Sequence, residues 1–124
     1  MASRPVIPPY QVITDGDMSG NITSEVTVIT NISMVSYAVS WSGSSPVGTF
    51  SVEVSNDYEK NAAGGVANAG TWTALTLSAS PSVSGNTGNG FIDLGRISAY
   101  AVRLKYTRTS GSGTLQATVA GKVH

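Results

Sequence analysis

Period-two alternation, repeated along most of the chain, limits what this sequence can fold into more than any other feature. Val35, Tyr37, Val39 and Trp41 alternate with Ser36, Ala38, Ser40 and Ser42. Phe50, Val52 and Val54 alternate with Ser51, Glu53 and Ser55. Tyr100, Val102, Leu104 and Tyr106 alternate with Ala101, Arg103, Lys105 and Thr107, and Leu115, Ala117, Val119 and Val123 with Thr114, Gln116, Thr118 and Lys122. Val26 and Val28 make a shorter run of the same kind, and Trp72–Leu77 reads as a further strand. Successive side chains on a strand point to opposite faces, so each run places one face in a core and the other in water, as antiparallel sheets do. No run at helical spacing is long enough to form a helix of note.

The connecting segments fit this reading. Ser42–Gly48, Asn61–Gly70 and Ser80–Gly90 are rich in Gly, Ser, Asn, Ala and Pro and read as loops. Ser110-Gly111-Ser112-Gly113, between two alternating runs, reads as a tight hairpin turn. With 124 residues there is room for one core. Ser (18) and Thr (13) stand where charged residues usually do, the latter making up only 11%. Short hydroxyl side chains on strand-forming segments describe a sheet with a hydroxyl-rich outer surface. The expected fold is therefore all-β, an antiparallel β-sandwich of about seven or eight strands, either jelly-roll or immunoglobulin-like.

Residues 1–20 differ from the rest and read as an extended N-terminal arm, with the sandwich domain spanning 21–124. Pro5, Pro8 and Pro9 fix φ and withhold donors, so the stretch reads either as an extended arm with one edge strand at Tyr10–Thr14 or as a loose terminus. Val6, Ile7, Tyr10 and Val12 (with Ile13) nevertheless give the arm more apolar surface than a solvated tail carries, so they are candidate partner-binding residues. Arg103 and Lys105 share the outward parity of one strand, where they would keep an edge soluble or meet an acidic partner.

Little in the sequence points to covalent chemistry. There is no Cys, and His124, the last residue, is the only His, so no base can be set beside any of the many serines. Asp15-Gly16-Asp17 resembles the start of a calcium loop but lacks the later ligands and closing Glu; it and Asn56–Glu59 read as turn carboxylates in water. No catalytic, cofactor or metal residue is expected. Seven basic and seven acidic residues cancel, which removes the main attraction for nucleic acid. No segment approaches the ~20 apolar residues of a membrane span, and the N-terminus leads into no signal-like apolar region, so synthesis in a cytoplasm is expected. Trp41, Trp72, Tyr37, Tyr100 and Tyr106 fall mostly on the inward parity, which favours core packing over a sugar-stacking face.

Three stretches carry a resemblance: Gly48–Asp57, with its Ser55-Asn56-Asp57 turn; Gly70–Leu75, with Trp72; and Ala99–Lys122, AYAVRLKYTRTSGSGTLQATVAGK. Together they resemble small β-sandwich virion proteins of tailed bacteriophages. The resemblance, covering about residues 35–122, implies a non-enzymatic structural protein of the virion, most of all one that decorates and stabilises the outer head surface. It implies the major capsid protein or another virion protein as partner, a homo-oligomer with a trimer favoured, assembly in the host cytoplasm and no catalytic residues to carry over. The alternative is a host-receptor or carbohydrate-binding module of a phage tail or fibre.

Overall fold

The computed structural model describes residues 6–29, 32, 34–60, 62–63, 65–75, 82–97 and 99–122. In chain order the strands are β1 (Val6–Asp17), β2 (Ile22–Thr23), β3 (Thr27–Val28), β4 (Met34–Ser55), β5 (Glu59–Lys60), β6 (Val66–Asn68), β7 (Thr73–Ala74), β8 (Ser82–Val83), β9 (Thr87–Arg96) and β10 (Ala101–Lys122). Every pairing is antiparallel. Among the described residues there is no helix.

Two strands of 22 residues, β4 and β10, run side by side from Ala101↔Ser55 to Lys122↔Met34 and form the spine of the fold. One half of this ladder is flanked by β1 and β9, the other by β2 and β3 on one side and β7 and β8 on the other. Two layers result, joined through strands that bend from one into the other, the device by which sandwiches turn corners. An immunoglobulin domain instead keeps two separate sheets.

The bend is written in the burial pattern. On β4 the buried residues are odd-numbered before it (Val35, Tyr37, Val39, Trp41) and even-numbered after it (Phe50, Val52). On β10 they are Val102, Leu104 and Tyr106, then Leu115, Ala117 and Val119. Both strands change parity together, so the pairing register is the same on either side, with irregularity confined to Arg108–Ser112. A left-handed residue on each strand makes the change: Ser45 with φ 49° and Gly111 with φ +76°. Ser110–Gly113 is thus a corner inside one strand, not the hairpin turn its composition suggests. Ser42–Gly48 lies wholly within β4 for the same reason.

The inward faces meet in one core containing Val39, Trp41, Val52, Val102, Leu104 and Val119. Trp41, Phe50 and Tyr106 pack in sequence, with ring centroids 6.4 and 5.5 Å apart. Two parities depart from expectation. On β3 it is Thr27 that is buried while Val26 and Val28 are half-buried, and Tyr100, just before β10, is 40% exposed.

The extended N-terminal segment is seated on the sheet. β1 runs along the second half of β10 as an edge strand, from Val6↔Lys122 to Asp17↔Thr114, longer than the Tyr10–Thr14 expected. Its register shifts at three places, the first spanning Pro8 and Pro9, which cannot donate to a ladder. A second shift, between Gln11 and Ile13, breaks the alternation, and neighbouring Val12 and Ile13 are both buried (4% and 5% exposed). Val12 therefore belongs to the core and not to a partner-binding surface. Residues 6–17 share a core with the domain read as 21–124.

The flank made of β2 and β3 is interrupted, and Ser24 fills the interruption. Its backbone N–H donates to the Leu104 carbonyl and its Oγ accepts from the Leu104 N–H, both at 2.8 Å. Leu104 thus keeps both backbone partners where no strand residue lies opposite.

Candidate partner-binding surfaces

Arg103 and Glu53 face each other on adjacent strands, Arg103 on β10 and Glu53 on β4. Arg103 Nη2 lies 2.6 Å and Nε 2.8 Å from Glu53 Oε1, and Lys105 Nζ is 3.9 Å from Glu53 Oε2. The Arg103 guanidinium sits over the Trp72 ring, 4.2 Å from its centroid. Trp72 packs against Tyr58 at 6.0 Å and donates from Nε1 to the Ala69 carbonyl at 2.8 Å. Beside it a cleft is lined by Val54, Ser55, Asn56, Asp57, Thr71 and Thr73. Asp57 Oδ1 accepts from the Thr71 N–H at 2.6 Å and the Ser55 hydroxyl at 2.7 Å. These hydrogen bonds, led by Thr71, hold its carboxyl below the usual range. The cluster satisfies itself: Glu53 already meets both cations, and Arg103 covers the indole. The strand that bears Arg103 and Lys105 is central, with β4 on one side and β2 on the other, so these cations guard no sheet edge.

The outer face of the other layer is made of smaller residues. Ser36, Ala38 and Ser40 from β4 lie beside Gln116, Thr118 and Ala120 from β10. Toward β1 the carboxamide of Gln116 accepts from the Gln11 Nε2 at 2.8 Å and the Asp15 N–H at 3.0 Å, and donates to the Asp15 carboxylate. Tyr10 is on the other side of β1, opposite the buried Val119; its ring, 40% exposed at the margin of the core, places its hydroxyl 3.0 Å from the Oγ1 of buried Thr27. Toward β9 stands Phe91, 63% exposed, the most exposed large apolar side chain among the described residues. With Met34, Ser36, Asp93, Ala120, Gly121 and Lys122 it lines a cavity of about 330 Å³.

The structure therefore separates the residues singled out from sequence. Tyr10 is at the margin of the core, Val12 in the core, and Arg103 and Lys105 on the opposite layer from Tyr10. Val6 and Ile7 enter only by backbone register, opposite Lys122 and Gly121; their side chains, like Val123, His124 and the Thr76–Leu77 end of the expected Trp72 strand, lie outside the described residues. Asp17 takes the Ser19 hydroxyl at 2.6 Å and N–H at 3.0 Å, the turn role expected of it. These bonds, the hydroxyl first, lower its pKa.

Phe91 is the surface residue sequence reasoning missed. Its strand begins inside the Ser80–Gly90 segment, where Gly88 and Gly90 hide the alternation. The one available signal was the run Phe91-Ile92-Asp93-Leu94, apolar on both parities. Gly88 is required here, because a β-carbon on it would collide with the Trp41 ring. Among the described residues no group of three or more acidic, His or Cys side chains is placed to hold a metal, and no helix is long and apolar enough to cross a membrane.

The fold defines the class: an all-β antiparallel sandwich of short flanking strands around one bent ladder. A chain in the solved structure of infectious bursal disease virus, Gx strain, has a similar fold, with a TM-score of 0.53 at 12% identity over 99% of this chain. The present chain spans 33% of that chain's length. No family model and no curated protein matches the sequence.

Proposed function

We propose that this protein is a non-enzymatic structural component of a virus particle, and that it sits on the outer head surface of a tailed bacteriophage, bound to the major capsid protein or another virion protein. The observation that carries this reading is the division of the molecule into one bent, mainly apolar core and two polar outer faces, one of short hydroxyl and amide side chains around Ser36, Ser40, Gln116 and Thr118, the other built on the Arg103–Glu53–Lys105 cluster. Polar atoms on those faces bond to each other, as in Gln11–Gln116–Asp15 and Arg103–Glu53. A protein exposed on a particle needs a stable, neutral domain that resists aggregation and offers flat surface to neighbours. The likeness in fold to a chain of a virus structure supports the same reading. So does the thin acid–base inventory, since catalysis by proton transfer needs a titratable group in a cleft beside a nucleophile.

A sugar-binding or receptor-binding module is less well supported. Of the two tryptophans, Trp72 already carries Arg103 and Trp41 is buried, which leaves Tyr100 and Phe91 as exposed rings a sugar could stack on.

Mass spectrometry of gradient-purified particles from the source of the sequence tests the proposal. The chain is expected in stoichiometric amount in the particle band, with gold-labelled antibody on heads. Its absence from particles overturns the reading, and labelling confined to tails moves it to the fibre alternative.

A further inference from the structure

The layer built from β1, β10, β4 and β9 has two edges, and they are treated differently. β1 carries Pro8, Pro9 and three register shifts, devices that stop a sheet from adding strands. β9 carries none of these over Thr87–Asp93, where its pairing with β4 is unbroken from Ser42↔Thr87 to Ser36↔Asp93. That stretch has no proline and a single charge, Asp93. Among the described residues no strand pairs with its other side. An antiparallel strand directs every second residue's N–H and C=O away from its partner, so this side offers a row of donors and acceptors.

We propose that β9 is a self-association edge: two copies of the chain pair their β9 strands antiparallel about a twofold axis through Phe91, making one continuous sheet. The sequence of the edge is complementary to itself in this register, which keeps both cores on the same side. Phe91 faces its own copy on the outer surface, an aromatic cross-strand pair that covers the side chain left 63% exposed in the single chain. Asn89 falls opposite the other copy's Asp93, a neutral donor against a carboxylate. On the inner side Ile92 falls opposite Gly90, so a large residue meets an absent side chain. Centring the axis on Asp93 sets two carboxylates face to face, and centring it on Asn89 leaves each Phe91 opposite Thr87. A twofold contact is isologous and closes at two copies. It owes nothing to the particle reading, and a threefold arrangement of the kind the resemblance implies needs a different surface.

The chain lacks cysteine, which makes the test direct. Sedimentation velocity on the full chain across a micromolar to submillimolar series is expected to show a dimer. Phe91→Lys sets like charges opposite each other at the axis and is expected to raise the dissociation constant at least about tenfold, with an unchanged circular dichroism spectrum. Phe91→Cys is expected to give a disulfide-linked dimer on mild oxidation, whereas Ser40→Cys, outward on central strand β4, gives none. A wild-type monomer throughout the series overturns the proposal. So does an oligomer that Phe91→Lys leaves intact, or a Phe91→Cys protein that forms no more cross-link than Ser40→Cys.

Discussion

Gly111 and Ser45, one on each long strand, meet at the corner of the sandwich with left-handed backbones, and a β-carbon on Gly111 would overlap the Ser45 carbonyl. The pair is the hinge about which the β4–β10 ladder passes from one layer to the other. Ser45 is held in its unusual conformation from outside: its N–H and Oγ both reach Asn86 Oδ1, at 2.9 and 3.1 Å.

Gly111→Ala should therefore destabilise the whole fold, because the two layers share this corner. A strained left-handed residue alone costs of order 1–3 kcal/mol, and the collision adds to it. Ser112→Ala, one position on and exposed, should stay within about half a kcal/mol of wild type. Urea denaturation of the two variants makes the comparison; equal losses would remove Gly111 from its hinge role.

Ser24→Ala should leave the Leu104 N–H buried without its acceptor, since Leu104 is fully buried and Ser24 Oγ is its partner. The expected cost is about 1–3 kcal/mol. Amide exchange at Leu104 should accelerate beyond that of Val102, which pairs with backbone on both sides.

Leu104→Ala removes a fully buried side chain from the centre of the core and should cost about 2–5 kcal/mol. Phe91→Ala, with its ring 63% exposed in the single chain, should cost a dilute monomer far less.

Arg103→Lys keeps the charge but loses the planar fork on Glu53 and the cover over Trp72. A double-mutant cycle between positions 53 and 103 should give a coupling of roughly 1 kcal/mol, reduced by salt. Trp72 fluorescence should shift to the red as the ring gains water.

Asp57 should titrate below the usual carboxylate value of about 3.9. The Thr71 and Ser55 hydrogen bonds favour its ionised form, so the folded pKa lies under the unfolded one. Its contribution to stability is then present above the unfolded pKa and lost as pH falls through the folded one. Carbon-detected NMR of the carboxyl follows the midpoint directly; a value at or above that of a model peptide would mean the Thr71 contact is not kept in solution.

What could be read in the sequence was whatever depends on the parity of one strand. Val39, Trp41, Val52, Val102, Leu104 and Val119 are all buried, because alternation is a local property and a strand with one apolar face has only one way to turn it. The short flanking strands were harder. Two residues of β2, β3 or β7 form a strand only because a long neighbour offers its edge, and Thr27 is inward because Val28 pairs with Ala101. Phe91 was lost for the converse reason: its strand is long, but Gly88, packed against the Trp41 ring, and Gly90 mask its period.

Local alternation was enough to establish that the chain is all-β, which faces of the long strands are apolar, and that there is one core. The tertiary structure alone decided where the strands end. Ser110–Gly113 suits a hairpin turn and a corner equally, since both need a left-handed glycine and small neighbours. Only the β4 strand alongside, bending at Ser45 at the same level, makes it a corner. Likewise Val12 has the composition of a docking residue, and the register shift beside it, set by pairing with β10, turns it inward. Alternation is carried by each residue's own backbone, whereas bulges, corners and edges exist only between two strands, so their position is fixed by contacts distant in the chain.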